Sequence, residues 1–297
     1  MNMSRQKKRK LEQPRTSQIF IRFLVVLLLQ AISQVIWLGT YLLLNQNISR
    51  IEFPESSDYL LGSLYSSVIT IFLTIWYAQR IDGKSYSSLG LNKKRVVAQA
   101  SIGYLAGLLL AAIIVLYLIN KSLVVLTLNP SKELSCNILY FFGFILQSFS
   151  EELLIRGYFM TSLATRIPTW SAVIISSLIF SIFHVLNGNA TVLSCLNLTL
   201  VGFFFSLVFL LSKSIIFTGF LHAAWNFTLS CIFGFEISNV QIGTTLFKTH
   251  FQINDSLITG GKFGIEASIV VTFLLTFLIL SIILIRLKKF EIFKITH

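Results

Sequence analysis

Three short stretches of an otherwise apolar chain place proton-moving side chains at helical spacing. In Glu151-Glu152-Leu-Leu-Ile-Arg156, Glu152 and Arg156 lie four residues apart, so on a helix they share a face and can neutralise each other. Glu151 lies about 100° further round that helix and is free to point into a bundle. Phe180 and His184 have the same i,i+4 spacing, which lets the aromatic ring buttress the imidazole. His222 and Asn226 repeat it and can project toward one point. A carboxylate and a neutral imidazole can hold and deprotonate one water molecule. A second imidazole and a carboxamide can donate hydrogen bonds to an oxyanion. That set suffices to hydrolyse a peptide bond without a covalent intermediate. Glu151, His184 and His222 could equally bind zinc and generate hydroxide, and the sequence leaves both open.

Each feature alone has a bland explanation. A lone histidine or asparagine in a spanning helix is more often an interhelical hydrogen bond than a reagent, and a Glu/Arg pair at i,i+4 is usually structural. An unpaired carboxylate, two histidines and an amide on neighbouring segments exceed what packing requires, which favours a functional polar site. Other intramembrane chemistries lack their motifs: there is no H-E-x-x-H, no G-x-G-D, no G-x-S-x-G and no Walker A stretch.

Composition says where these segments sit. Of 297 residues, 55% are hydrophobic and 12% charged, with 27 Phe and 4 Pro. That is about half the charged share of a soluble domain, too little to cover a water-soluble globule. An ordinary cytosolic enzyme, a disordered chain and a disulfide scaffold are excluded. Cys136, Cys195 and Cys231 have no C-x-x-C spacing and imply no disulfide framework or zinc knuckle. The net charge of +12 gathers at segment ends, where topology accounts for it; with no basic face or readout motif, nucleic acid is not an expected partner.

The expected fold class is all-α, a polytopic membrane protein with a bundle of about eight transmembrane helices around an intramembrane polar site. Apolar windows of about 20 residues mark 19–44, 60–79, 97–119, 137–162, 170–187, 190–212, 215–235 and 265–285, with one long loop at 236–264. The first run is too long, and lacks a small-residue cleavage site, for a cleavable signal peptide. The division is a basic cytoplasmic tail (1–18), a transmembrane domain (19–285) and a basic tail (286–297). Arg5, Lys7, Lys8, Arg9, Lys10 and Arg15 place the N-terminus in the cytoplasm, and Glu52, Glu55 and Asp58 fall outside. Arg80, Lys84, Lys93, Lys94 and Arg95 return inside, and eight spans bring Arg286, Lys288, Lys289 and Lys294 back to the cytoplasm. Ionisable side chains well inside apolar runs are expected only in 137–162, 170–187 and 215–235. This orientation puts Glu151 toward the inner end of its span and His184 toward the outer end of its own. A shifted, tilted or broken helix would relieve that mismatch.

Glu151-Glu152-Leu-Leu-Ile-Arg156 resembles the E-E-x-x-x-R motif of the CAAX protease and bacteriocin-processing (CPBP, or Abi) family of intramembrane proteases. Phe180-Ser-Ile-Phe-His184 is similar to its F-x-x-x-H motif and His222-Ala-Ala-Trp-Asn226 to its H-x-x-x-N/D motif, in the family's order. The Arg156-Gly157 step and the Ser88-Leu89-Gly90-Leu91 patch look like the family too, so the resemblance covers about 85–235. It implies Glu151 as general base with His184, His222 and Asn226 as the oxyanion-stabilising pair, and Glu152, Arg156 and Phe180 in support. Family members have been described both as metal-dependent and as metal-free glutamate proteases, so the cofactor is none or zinc, the metal-free form being favoured. The implied partners are the lipid bilayer and a membrane-associated peptide or protein substrate, and the short loops look like those of bacterial, multi-pass cell-membrane members. Bacterial members are associated with bacteriocin immunity, peptide processing and surface-protein maturation. A non-proteolytic immunity or peptide-binding protein is the alternative. A proton-coupled transporter fits less well, because the polar groups sit in one half of the chain and no repeat of interrupted helices is visible.

Overall fold

The structure, a computed structural model, describes residues 15–44, 57–92, 94–130, 134–186 and 188–295. The basic run from Arg5 to Lys10, Glu52, Glu55 and Lys93 lie outside these residues. The chain forms the helices α1 (Thr16–Leu44), α2 (Ser57–Arg80), α3 (Val96–Asn120), α4 (Leu134–Glu152), α5 (Thr169–Val185), α6 (Val192–Ser212), α7 (Ile215–Phe227) and α8 (Ile269–Ile295). Among the described residues, seven of these are long and apolar enough to cross a membrane, α4 and α7 through their continuations, and α5 is shorter at 17 residues. The protein is a polytopic all-α membrane protein.

Along the spans many exposed residues are large and apolar. On α8, Phe273, Phe277, Leu280 and Leu284 are all exposed at i,i+3/i+4 spacing, a stripe that makes sense against lipid and not against water. The polar side chains turn inward, as a hydrocarbon solvent requires. α7 is the most enclosed span, packed between α3 and α4, while α5 pairs with α6, α1 with α2, and α8 with α6.

Close approach of α3 to α7 depends on two glycines. A side chain at Gly103 would put its Cβ 2.3 Å from the Phe217 carbonyl oxygen, and one at Gly107 would put it 2.1 Å from that of Leu221. With Ala111 one turn on and fully buried, this small-residue stripe lets two backbones touch where lipid offers no hydrophobic drive for helix pairing. Because Leu221 precedes His222, the stripe also sets the seat of that histidine. Gly107→Leu is expected to destabilise the protein by about 1–3 kcal/mol and to lower its melting temperature in detergent; an unchanged melting curve would show that the contact does not constrain α7.

Two of the three motif-bearing helices, α4 and α7, are not regular to their ends. α4 runs straight into a π-helical segment, Leu153–Met160, before closing at Leu163, and α7 into a second, Thr228–Ile232. Such wide turns are rare and are found at functional positions. Beside the first, Leu89 is wholly buried and its carbonyl oxygen would lie 2.8 Å from a Cβ at Gly157. The Ser88–Leu91 patch is thus a turn seated on α4, and the Ile215 N–H donates to the Gly90 carbonyl at 3.1 Å, fixing the start of α7. At the same end, Arg22 Nη1 pairs with Asp82 Oδ1 at 2.9 Å and Tyr158 Oη donates to Asp82 Oδ2 at 2.6 Å. Lys84 beside them donates to Thr161 Oγ1 at 3.1 Å, and burial pushes its ammonium down to about 8.

The long loop 236–264 is more ordered than its composition suggests. Phe247–Phe251 pairs antiparallel with Val124–Leu128, Val124 opposite Phe251, two stretches rich in β-branched and aromatic residues. α8 starts at Ile269, later than the sequence window, and Ile265–Ala267 is a separate turn. Glu266 therefore stands at the mouth of the last span instead of inside it.

Candidate active site

Short α5 removes the depth mismatch. Glu151 lies 12 residues before Leu163 and His184 lies 15 after Thr169, about 18 Å and about 22 Å of helical rise from the connecting turn. α5 ends partway through the bundle, so a residue in its last turn meets the middle of longer α4. The two side chains approach closely, with His184 Nε2 3.7 Å from Glu151 Oε2.

Glu151, Phe180, His184, His222 and Asn226 line one cavity of about 130 Å³. The Phe180 carbonyl oxygen lies 2.9 Å from His184 Nδ1. A carbonyl only accepts, so Nδ1 carries the proton and Nε2 presents a lone pair to Glu151. The Phe180 ring lies 4.2 Å from the imidazole, centroid to centroid. Glu151 Oε1 accepts from Gln147 Nε2, while Oε2 is buried with no hydrogen-bond partner among the described residues.

Glu152 and Arg156 sit behind the cavity wall, both wholly buried, with Nη1 2.7 Å from Oε1. Arg156 Nη2 donates to the Gly202 carbonyl at 3.1 Å, and the guanidinium lies 4.4 Å from the Phe180 ring centroid. His222 Nδ1 donates to the same Glu152 oxygen at 3.1 Å, so the ion pair fixes the imidazole's tautomer and leaves Nε2 for the cavity. Asn226 Nδ2 makes only long contacts of 3.5 Å to Gln147 Oε1 and Ser148 Oγ.

Glu151, His184 and His222, the zinc set the sequence allows, all line this cavity. Among the described residues no three His, Cys, Asp or Glu side chains are grouped to hold a metal ion, and His222 turns one nitrogen to Glu152. Glu151 and His184 form one close pair of potential ligands at 3.7 Å, and Glu152 and His222 form another at 3.1 Å.

Sequence reasoning missed several residues here. Gln147, one turn before Glu151, links that carboxylate to Asn226; its signal was an amide on the same helical face. Glu266 and Ser238 also line the cavity, from the loop side and outside the three spans that carry the motifs. Nothing local marks them, because they reach the cavity from the loop before α8.

Residues 134–228 match the family described as type II CAAX prenyl endopeptidase Rce1-like, a stretch that begins with α4 and contains all three motifs. No curated protein matches the chain. Over residues 134–228 the chain carries an Rce1-like domain of the CPBP family, a family of intramembrane CAAX-type proteases.

Proposed function

We propose that the protein is a metal-free intramembrane endopeptidase that cleaves membrane-associated peptides or proteins. One observation carries the reading: two acceptors, Glu151 Oε2 and His184 Nε2, face each other at 3.7 Å with no protein proton between them. A water molecule can donate one hydrogen bond to each. As its oxygen attacks the scissile carbonyl carbon, Glu151 takes the proton and the C=O electron pair moves onto oxygen. Asn226 Nδ2–H, held only by long contacts, turns to that oxyanion. His222, anchored through Nδ1 to Glu152, presents Nε2 beside that oxygen and donates from it when that nitrogen carries a proton. Collapse of the intermediate breaks the C–N bond, and Glu151 returns its proton to the leaving amine. Glu152 and Arg156 act through His222 and are positioning residues.

The test is hydrolysis of apolar peptides by the full chain purified in detergent. Cleavage is expected to survive exhaustive chelation and to fall by about 10²-fold or more in His184→Ala and in His222→Ala. Loss on chelation with restoration by zinc would overturn the metal-free step, and unchanged rates in both variants would overturn the site.

A further inference from the structure

The same cavity holds a second carboxylate that the proposed hydrolysis does not use. Glu266 is 6% exposed and reaches the cavity from the turn before α8. Both of its oxygens are held. Trp225 Nε1 donates to Oε1 at 3.1 Å, and Ser238 Oγ donates to Oε2 at 2.7 Å. Its backbone carbonyl accepts from Asn197 Nδ2 at 2.8 Å, tying the turn to α6. The donors are neutral, and among the described residues Glu266 makes no ion pair.

Its placement relates it to the reacting groups. Trp225 lies between His222 and Asn226 on α7, and the spacing i, i+3, i+4 puts all three on one helical face. The indole therefore carries the Glu266 carboxylate alongside the proposed oxyanion pair. Ser238 comes from the loop whose Ile237, Val240 and Ile242 also line the cavity. The lining contains two carboxylates, Glu151 and Glu266, and no Lys or Arg. Arg156, the buried cation nearest in the chain to the motif, is committed to Glu152. A buried carboxylate held by two neutral donors retains lone pairs for a further donor, and a cation compensates a buried charge far better than a neutral group does.

We infer that Glu266 is a specificity residue that receives a positively charged group of the substrate beside the scissile bond. The substrate class is then a membrane-embedded peptide with a Lys or Arg side chain, or a free α-amine, next to the cleaved position. This rests on the peptidase reading, because it takes the cavity as the substrate's seat.

The experiment measures binding apart from cleavage. The full chain carrying Glu151→Gln leaves Glu266 as the cavity's one carboxylate, and fluorescence anisotropy in detergent follows labelled apolar decapeptides. Four peptides are compared: N-acetylated with central lysine, norleucine or glutamate, and norleucine with a free α-amine. The lysine peptide, the free-amine peptide or both should bind about tenfold more tightly than acetyl-norleucine, and the glutamate peptide more weakly. Which of the two cationic peptides gains identifies the source of the charge. Adding Glu266→Gln should bring all four within about twofold of one another. Glu266→Asp, which keeps the charge but withdraws it by one methylene, should retain a reduced preference and decides the matter if the glutamine variant does not fold. Equal affinities in the Glu266 protein, no binding of either cationic peptide, or a preference that survives in Glu266→Gln would overturn the inference. Native chain that hydrolyses lysine and norleucine peptides equally would leave the peptidase standing without it. Selective cationic binding with no hydrolysis would do the reverse.

Discussion

Glu151→Gln is expected to leave the protein folded and inserted while reducing peptide hydrolysis by about 10³-fold or more. The substitution is nearly isosteric, and its carbonyl can still accept from Gln147 Nε2 as Oε1 now does. Its amide N–H₂ would face His184 Nε2 and donate to it. The pair then no longer presents two acceptors to a water molecule, and no carboxylate remains to take the proton. Folding should survive because Glu151 lies outside the buried ion pair, which is formed by its neighbour. The measurement is kcat on an apolar peptide beside the melting temperature of each protein in one detergent. Full activity in the variant would refute Glu151 as the base. The same variant separates the proteolytic reading from the alternative: protection in a bacteriocin challenge by Glu151→Gln would favour a protein that binds and does not cut.

Arg156→Ala should do the opposite and break the fold first. The guanidinium and the Glu152 carboxylate are both wholly buried, so deleting one leaves the other unneutralised. That costs about 3–5 kcal/mol, before counting the lost stacking on Phe180 at 4.4 Å and the lost bond to the Gly202 carbonyl at 3.1 Å. A fall in melting temperature on the order of 10 °C is expected. Activity should fall with it, since Glu152 also orients His222. Combining Glu152→Gln with Arg156→Met removes both charges together and should recover much of the stability, but not the activity. A melting temperature unchanged in Arg156→Ala would show that water reaches the pair and that it does not hold α4 against α6.

Together these two variants divide one motif into two jobs. Neighbouring glutamates are identical in chemistry and differ in surroundings. Glu151 faces a cavity and an imidazole lone pair, whereas Glu152 faces a guanidinium and an imidazole N–H. The i,i+4 spacing to Arg156 assigns the partner from sequence alone, because a helix places those two side chains on one face.

The chain's linear order determined its solvent and class. Long apolar runs with so few charges call for lipid, and in lipid they are helical because hydrocarbon leaves backbone groups no partner outside their own segment. It also determined which side chains share a helical face, since that depends only on the turn of a helix. Tertiary structure decided what crosses between elements. The length of α5, the π-helical turns that continue α4 and α7, the contact of Gly103 and Gly107 with α7, and the arrival of Glu266 from beyond the long loop all depend on packing among distant segments. No short-range periodicity records such packing. The composition around Glu266 reads as the start of a span, and only the bond it accepts from Trp225, 41 positions earlier, brings it to the cavity.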